Sequence, residues 1–346
     1  PNFDFGSNLY NCNGLGALEE LSIFNQEIYF PAGWTIFSSY IIPIENNVDK
    51  IFEGIDDLII IKDQNGDVFW PSLGINQIGG VNYNEGYIVK MNYESSGNTL
   101  IFSGDMIPSD TEMFFNEGWS IISYLNRDPA PVEDMMGSIV QDLIIIKDED
   151  GLIYWPQFGV NSMSNMYPGR GYQIKLSSGL PFSYSSNSIV RFLDLENNLE
   201  QVTYYSNPKK TGENMTLGIP ISSWSSLPSL GDEIGVFSSD GILVGSQVFN
   251  GKAIAISIWG DDFSTFEKDG ILSGENFYLK LWDHNLNKEK FLKIEKWTEG
   301  SEFYYPNSIN IISKLSVNSD NVNKQEIIQT FDLMGRPISN IKENQI

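Results

Sequence analysis

The sequence predicts a mainly β protein: two tandem homologous modules, each a small α+β unit made mostly of sheet, then a β-sandwich module and a β-rich C-terminal tail. Three observations lead to this fold class. One stretch of the chain occurs twice, a hairpin signal with glycine follows each copy, and the later part alternates short β-type runs with turn residues. A chain of 346 residues is long enough to bury a core in two or three such units.

The repeated stretch reads Asp-Leu-Ile-Ile-Ile-Lys-Asp. It begins at Asp57 and returns letter for letter at Asp142, 142 − 57 = 85 positions later. Further matches share this offset: Gly33-Trp34 with Gly118-Trp119, Gly66 with Gly151, Gly74 with Gly159, Gly86-Tyr87 with Gly171-Tyr172, and Lys90 with Lys175. So many matches at one offset indicate an internal duplication.

The aliphatic run predicts a strand buried on both faces in each repeat, because its large side chains are consecutive and mostly β-branched. Asn65-Gly66 follows the first run and Asp150-Gly151 follows the second, and such pairs supply the positive φ angles of a tight primed turn. The returning strands are expected to end at Trp70-Pro71 and Trp155-Pro156, since proline cannot donate a hydrogen bond to the ladder.

A short helix is predicted before each buried strand. Apolar residues recur at helical spacing from Val48 to Ile55 and again from Val132 to Ile139. A helix at this place would let the first strand, at the Gly-Trp, pair in parallel with the buried strand. The last strand of each repeat is expected at the Gly-Tyr.

The predicted organisation has six parts. They are an N-terminal segment or linker (1–27), the first repeat (28–107), the second repeat (113–185), a linker (186–199), the β-sandwich module (200–317) and the C-terminal tail (318–346). Within the sandwich module, Asp232 to Gly241 has the same spacing as the hairpin of the second repeat, which predicts a similar turn.

The amino-acid composition restricts the kinds of partner that the chain is expected to bind. The net charge is −24, from 45 acidic and 21 basic residues, which argues against a nucleic-acid partner because phosphate neutralisation needs clustered Lys and Arg. Such acidity is typical of a solvated extracellular surface or of one that holds divalent cations. No apolar run approaches the ~20 residues that a membrane helix needs, so no membrane span is expected.

Catalytic groups are scarce. The chain has one cysteine, Cys12, and one histidine, His284, so an internal disulfide, a His-rich metal site and a Ser-His-Asp triad are not expected. None of the common nucleotide-binding, hydrolase or metalloprotease motifs occurs. We therefore predict that the protein is not an enzyme and needs no cofactor apart from a candidate calcium ion.

The candidate calcium site is the densest acidic loop, whose residues are Asp261, Asp262, Glu267 and Asp269. Carboxylate oxygens are the ligands that Ca²⁺ prefers. The alternative is a solvated loop in which Asp and Gly only form turns.

Aromatic residues give a second candidate site. Trp34, Trp70, Trp119 and Trp155, which match in pairs at the repeat offset, could stack on sugar rings, and Trp70 and Trp155 are the pair that we select as candidates. The alternative for such matched Trp residues is packing in the core or at a strand end.

Three parts of the sequence together resemble a known class. The Gly-Trp opening with Asp-Leu-Ile-Ile-Ile-Lys-Asp and the Gly-Tyr strand resemble tandem modules in secreted proteins of Bacteroidota. The stretch from Gly231 to Phe237, with Ile258 to Asp262 and Lys268 to Gly270, looks like a module that often accompanies them. The segment from Glu326 to Ile338 is similar to the start of a type IX secretion C-terminal sorting domain.

The resemblance implies export across the outer membrane by the type IX machinery, acting through the tail, with surface attachment or release. It implies no known catalytic residue. The resulting expectation is a non-catalytic extracellular or cell-surface protein for adhesion or for surface-layer or filament assembly, whose partners are copies of itself or other surface proteins. The alternatives are a carbohydrate-binding module array of a polysaccharide-degrading enzyme, with a polysaccharide partner, and an enzyme that uses carboxylates of the third module.

Assembly by strand exchange is a further expectation. Asn2 to Phe5 alternates polar and aromatic residues, and Ile327 to Phe331 is a second β-type run near the other end of the chain. A strand from one subunit that completes a sheet of the next would form a head-to-tail contact, which need not close and so produces a filament.

Overall fold

The structure is a computed structural model that describes residues 23–184, 204–205, 208–263 and 265–317. As predicted, the fold is mainly β, with short helices and sheets whose strand pairs are almost all antiparallel. In the described part of the chain, no helix has the length and apolar character needed to cross a membrane. The segment 1–22, the linker 186–199 and the tail 318–346, with both proposed strand donors, lie outside the described residues.

The first repeat contains eight strands and one short helix among its described residues. In chain order they are β1 (Phe24–Phe30), β2 (Gly33–Phe37), β3 (Ile41–Pro43), α1 (Val48–Ile51), β4 (Leu58–Lys62), β5 (Val68–Trp70), β6 (Ile75–Asn76), β7 (Tyr87–Met91) and β8 (Asn98–Met106). Strands β2-β7-β4-β5-β6 form one sheet and β1-β8-β3 form another. The first strand therefore begins within the segment that the sequence assigned to a linker.

The second repeat has a matching series of elements. They are β9 (Met113–Phe115), β10 (Gly118–Ser123), β11 (Ala130–Pro131), α2 (Val132–Met136), β12 (Leu143–Lys147), β13 (Ile153–Trp155), β14 (Val160–Asn161), β15 (Asn165–Met166), β16 (Gly171–Leu176) and β17 (Leu180–Phe182). Its main sheet has the order β10-β16-β12-β13-β14, which is the order of the first repeat with each strand replaced by its copy. Both sheets also share a register irregularity at the same point of the central strand.

The repeated aliphatic runs form β4 and β12, the central strands of these two sheets, as predicted. Ile60 and Ile61 are 2% and 0% exposed, and Ile145 and Ile146 are both 0% exposed. One face of each central strand lies on the core of its own repeat, and the other faces the third region of the chain. Burial on both faces explains why the run is continuous rather than alternating.

The predicted parallel pairing is wrong. The last strand of each repeat, β7 or β16, lies between the first strand and the central strand and pairs antiparallel with both. The chain between β2 and β4 crosses one strand position, so these two strands point the same way without being neighbours. Antiparallel pairing is slightly more stable per residue, and the hydrophobic period alone does not specify neighbours.

The hairpins after the central strands are present, but the turn differs from the predicted primed type. Gly66 has a φ of 88° and Gly151 has a φ of 75°, whereas neither Asn65 nor Asp150 has a positive φ. The main-chain N–H of Gly66 donates to the Asp63 carbonyl, and Asp63 N–H donates to the Asp67 carbonyl. This is a three-residue loop with glycine in the left-handed position.

The two predicted helices exist and are short. Helix α1 buries Val48, and α2 buries Val132, Met135 and Met136 against the core of its repeat. Asn47 precedes α1 without a side-chain capping bond, so the chain supplies little helix stability beyond this packing.

The third region, which the sequence predicts to be a β-sandwich, is one strongly curved sheet that folds back on itself. Its described strands are β18 (Asn214–Ile219), β19 (Glu233–Ser238), β20 (Leu243–Val248), β21 (Ile254–Trp259), β22 (Phe277–Asp283), β23 (Lys288–Glu299) and β24 (Ile309–Val317). Their order is β20-β19-β22-β23-β24-β18-β21, with a single parallel pair, β18 and β24. The edge strands β20 and β21 come close to each other, so the sheet is a nearly closed, barrel-like sandwich.

The two repeats contact each other through the same surface. Phe37 bridges to Arg170, and Ile122, the copy of Phe37, bridges to Glu85, the copy of Arg170. At the centre of this contact Gly86 and Gly171 face each other so closely that a Cβ on either would lie 3.2–3.3 Å from the Cα of the other. The approach requires glycine at both positions, which explains why this residue recurs in the duplication.

Candidate functional site

The site with the most concentrated chemistry is a pair of equivalent surfaces on the two repeats. Each main sheet presents one tryptophan and two lysines toward the third region, on the side opposite its own core. We name them the first Trp–Lys face, formed by Trp34, Lys62 and Lys90, and the second Trp–Lys face, formed by Trp119, Lys147 and Lys175. Both sets match at the repeat offset of the sequence.

Sheet register builds each face. Trp34 lies directly opposite Lys90 on neighbouring strands, and Trp119 lies opposite Lys175 in the same way. The other lysine ends the central strand, so that both ammonium groups of a face lie near the same indole ring. The Nζ atoms of Lys62 and Lys90 are 5.0 and 5.3 Å from the ring centroid of Trp34. Attraction of a cation to the indole face stabilises this arrangement.

The first Trp–Lys face binds a carboxylate of the third region. Lys90 Nζ lies 2.6 Å from Oδ2 of Asp262, and the two side chains are 1% and 0% exposed. The same oxygen accepts hydrogen bonds from Trp34 Nε1 at 3.0 Å and from the Tyr93 hydroxyl at 3.2 Å. Burial and the Asp262 carboxylate raise the pKa of Tyr93, so its hydroxyl remains a donor at neutral pH.

The second Trp–Lys face binds neutral oxygens instead. Lys147 Nζ donates to Oδ1 of Asn214 at 2.8 Å and to Oδ1 of Asn307 at 3.4 Å. Trp119 Nε1 donates to the main-chain carbonyl of Asn307 at 3.0 Å. Asn307 has a φ of 60°, a left-handed conformation that Asn tolerates better than most residues. Both faces therefore use the indole N–H of their Trp as a donor, but the donating lysine is Lys90 in the first face and Lys147, the copy of Lys62, in the second.

Burial affects the proton affinity of one lysine in each face. Burial, together with the nearby Lys175 ammonium, lowers the pKa of Lys147 to about 7. Burial also lowers the pKa of Lys62, although the Glu213 and Asp262 carboxylates partly oppose this effect. The second face therefore carries a lysine that releases its proton near neutral pH.

The stability of the protein should depend on pH through Lys147. Its pKa is about 7 in the folded chain against an ordinary value of 10.5, so between these pH values the unfolded chain binds the additional proton. The contribution of Lys147 to the free energy of unfolding is therefore lowest below pH 7 and increases as the pH rises toward 10.5. Urea denaturation from pH 7 to about 9.5 should show a steeper increase for the native sequence than for Lys147→Met, a window that ends below the ordinary pKa of tyrosine. Equal slopes would contradict the assignment.

In the acidic loop of the candidate calcium site, the carboxylates of Asp261 and Asp269 bind main-chain N–H groups and a lysine. Asp261 Oδ1 accepts the N–H groups of Asp269 and Gly270, and Asp269 Oδ1 accepts that of Asp262. Asp269 Oδ2 lies 2.5 Å from Lys209 Nζ. Partial burial raises the pKa of Asp269, but hydrogen bonds from Lys209, Asp262 and Thr265 outweigh it, so the net pKa is low.

These contacts stabilise the loop through its own main chain and through Lys209. Glu267 is exposed to solvent. Within the described ranges, no group of three or more His, Cys, Asp or Glu side chains could hold a metal ion. Calcium binding by Asp261, Asp262, Glu267 and Asp269 stays a prediction, to be tested by comparing melting curves in millimolar Ca²⁺ and in EDTA, and identical curves would remove it.

The two candidate sugar-stacking residues differ. Trp155 is 2% exposed and packs edge-on against Phe158, with the ring centroids 4.6 Å apart, in a cluster with Ile309 and Ile311 of the third region. Neither face of its ring is open to a sugar, so the packing interpretation applies. Trp70 is half-buried at the end of β5 and keeps part of its surface in solvent.

Open clefts lie away from the Trp–Lys faces. One cleft of about 310 Å³ lies between segments 106–110 and 125–128, and another of about 230 Å³ lies between β14 and the edge of the third sheet. Both present mainly polar surface. A cavity of about 20 Å³ at the junction of both repeats with the third region, bounded by Trp34, Asp148 and Asn214, has room for a single water molecule.

Comparison of the chain with models of known protein families finds no match, and comparison with curated proteins finds no similar sequence.

Sequence reasoning did not find the Trp–Lys faces as a unit. The signal was present, because Trp34, Lys62 and Lys90 all recur at one offset. The sequence did not indicate which residue these side chains bind, because Asp262 lies 172 positions from Lys90. Repeated charged residues beside repeated tryptophans on one sheet face are the pattern that could have indicated a shared binding surface.

Proposed function

We propose that this chain is a non-catalytic extracellular or cell-surface protein that acts in adhesion or in surface-layer or filament assembly. The observation that carries the proposal is that its β units are joined by buried contacts. The third region binds each repeat through a buried Trp–Lys face, and the repeats bind each other through a shared surface. β units joined by internal contacts of this kind suit a protein that forms a subunit of an assembly.

The placement of the titratable groups supports a non-catalytic role. In enzymes, groups with strongly shifted pKa values cluster in a cleft that a substrate can enter. In this chain burial lowers the pKa of Lys147 and raises the pKa of Asp148, each to about 7, and both side chains are enclosed. The two larger clefts described above contain neither residue.

Exposed apolar side chains support an interaction role. Tyr29 on β1 is 59% exposed, and its copy Phe114 on β9 is 64% exposed. Each ring covers a glycine at the start of the neighbouring strand, Gly97 under Tyr29 and Gly179 under Phe114. Ile101 is 59% exposed on the strand that pairs with β1. Solvent-exposed aromatic and aliphatic groups at repeated positions are suited to contacts with another surface.

Export by type IX secretion is part of the proposal. It rests on the resemblance of the tail sequence, 326–338, to the start of a sorting domain, and the acidity of the chain agrees with it. The partners it implies are the secretion machinery, other copies of the chain and other cell-surface proteins.

Assembly state tests the proposal. Sedimentation and electron microscopy of the intact chain at high concentration, with calcium present, should reveal polymers. Deleting residues 1–8, which include the proposed N-terminal strand donor, should abolish the polymers while the melting temperature stays unchanged, because those residues are expected to act only between subunits. A monodisperse monomer that also fails to bind cell surfaces would contradict the proposal.

Carbohydrate binding is the second candidate function, and the half-exposed ring of Trp70 favours it. Selective binding on a glycan array that is lost in Trp70→Ala would support this alternative. The Tyr29→Ala variant extends the test to the exposed ring of β1. If the chain bound no glycan, this alternative would be contradicted and the role in adhesion or assembly would be favoured.

A further inference from the structure

We propose that Lys90 and Asp262 condense to an intramolecular isopeptide bond, which joins the first repeat covalently to the third region. The geometry points to this bond. The lysine Nζ lies 2.6 Å from the carboxylate oxygen Oδ2, and both side chains are shielded almost completely from water, at 1% and 0% exposure. The inference does not depend on the proposed function.

Burial prepares the pair for reaction. An ammonium and a carboxylate in water are stabilised by hydration and do not condense. In the proposed reaction, one proton passes from the ammonium to the carboxylate, and burial removes the hydration that would oppose this step. The products of the transfer are a neutral amine and a carboxylic acid held in contact. Fixed contact of this kind replaces a bimolecular encounter and gives a high effective concentration.

The surrounding donors are placed to stabilise the transition state. Attack of Nζ on the Asp262 carboxyl carbon develops negative charge on Oδ2. Trp34 Nε1 at 3.0 Å and the Tyr93 hydroxyl at 3.2 Å both donate to this oxygen. The two aromatic rings also lie beside the lysine, with Nζ 5.3 Å from the centroid of Trp34 and 4.9 Å from that of Tyr93. Donors fixed in a dry site stabilise an oxyanion strongly.

The reaction is balanced within the pair. The C–N bond forms between the Asp262 carboxyl carbon and Lys90 Nζ, and the bond from that carbon to Oδ1 breaks. Oδ1 leaves as water after it receives one proton from the original ammonium and a second from the nitrogen of the tetrahedral intermediate. The amide nitrogen keeps one hydrogen. No oxidant, reductant or other reactant is needed.

Mass spectrometry of the denatured native chain tests the bond. The intact mass should be about 18 Da below the mass calculated from the sequence, because one water is lost. Trypsin should fail to cleave after Lys90, and the digest should contain a branched peptide in which the residues around Lys90 are linked to those around Asp262. A chain with the calculated mass and without the branched peptide would overturn the proposal.

Variants identify the reacting groups. Lys90→Met and Asp262→Ala should retain their full calculated masses. Asp262→Asn should lose ammonia instead of water and reach the same final mass as the native chain. Lys147→Met, which alters the equivalent face of the second repeat, should still lose water.

Asp-Gly sequences such as Asp150-Gly151 can also lose water by cyclisation, so a mass deficit that persists in Asp262→Ala without a branched peptide would likewise overturn the proposal.

Discussion

Replacing Asp262 with alanine should lower the free energy of unfolding by at least about 3–5 kcal/mol, because it removes one partner of the buried Lys90–Asp262 pair and, with it, the proposed isopeptide bond. The substitution leaves the Lys90 ammonium buried at 1% exposure and deprives Trp34 and Tyr93 of their acceptor. Chemical denaturation followed by tryptophan fluorescence measures the change, because Trp34 lies at the site. A loss below about 1 kcal/mol would show that the pair contributes little.

Two further variants separate the charge from the packing. In Glu53→Ala the exposed pair between Lys50 and Glu53, 3.4 Å apart, is broken, and stability should hardly change because both groups remain hydrated. The double variant Lys90→Met with Asp262→Leu, which like Asp262→Ala cannot form the isopeptide bond, should be clearly more stable than Asp262→Ala, since it removes both buried charges and keeps the volume. A double variant that is as unstable as Asp262→Ala would attribute the effect to shape rather than to charge.

Replacing Trp155 with alanine should have a comparable effect, about 3–5 kcal/mol, from loss of buried surface and creation of a cavity. The ring fills the space between β13 and the third region, where Gly218 of β18 approaches it so closely that a Cβ there would lie 3.0 Å away. Trp70→Ala is the matched control at the repeat offset. Trp70 is half-buried, so its loss should cost clearly less.

The comparison of these two variants also bears on sugar binding. If Trp155→Ala abolished binding to a glycan without lowering stability, the buried position of this ring in the structure would be wrong. Equal destabilisation by both variants would contradict the difference in burial between the repeats.

The parts of the fold that could be predicted are those set by local rules. The aliphatic runs at Leu58 and Leu143 had to be central strands, because no other place buries both faces of a strand. Glycine had to occupy positions 66 and 151 because only it adopts the left-handed conformation of the turn without strain. The mainly β class and the equivalent strand orders follow from these signals and from the duplication.

The parts that could not be predicted depend on which surfaces meet. The insertion of β7 between β2 and β4 leaves every hydrophobic period unchanged, so the pattern cannot report it. The partner of Asp262 could not be predicted either, because the sequence shows only its acidic neighbours, whereas its Oδ2 faces Lys90 of a distant strand. The burial of Trp155 could not be predicted from its local sequence, because Trp70 has nearly the same local sequence and is only half-buried.

The contact between the repeats at Gly86 and Gly171 has a consequence for how their other surfaces can vary. It has the isologous geometry of a C₂ dimer, in which one patch recognises a second copy of itself. In a dimer of identical chains, every substitution appears in both subunits, so both copies of a surface change together. Covalent linkage in one chain keeps the two patches at a fixed, high effective concentration and removes that restriction. The shared contact can stay symmetric while one Trp–Lys face holds the carboxylate of Asp262 and the other holds the amide of Asn214.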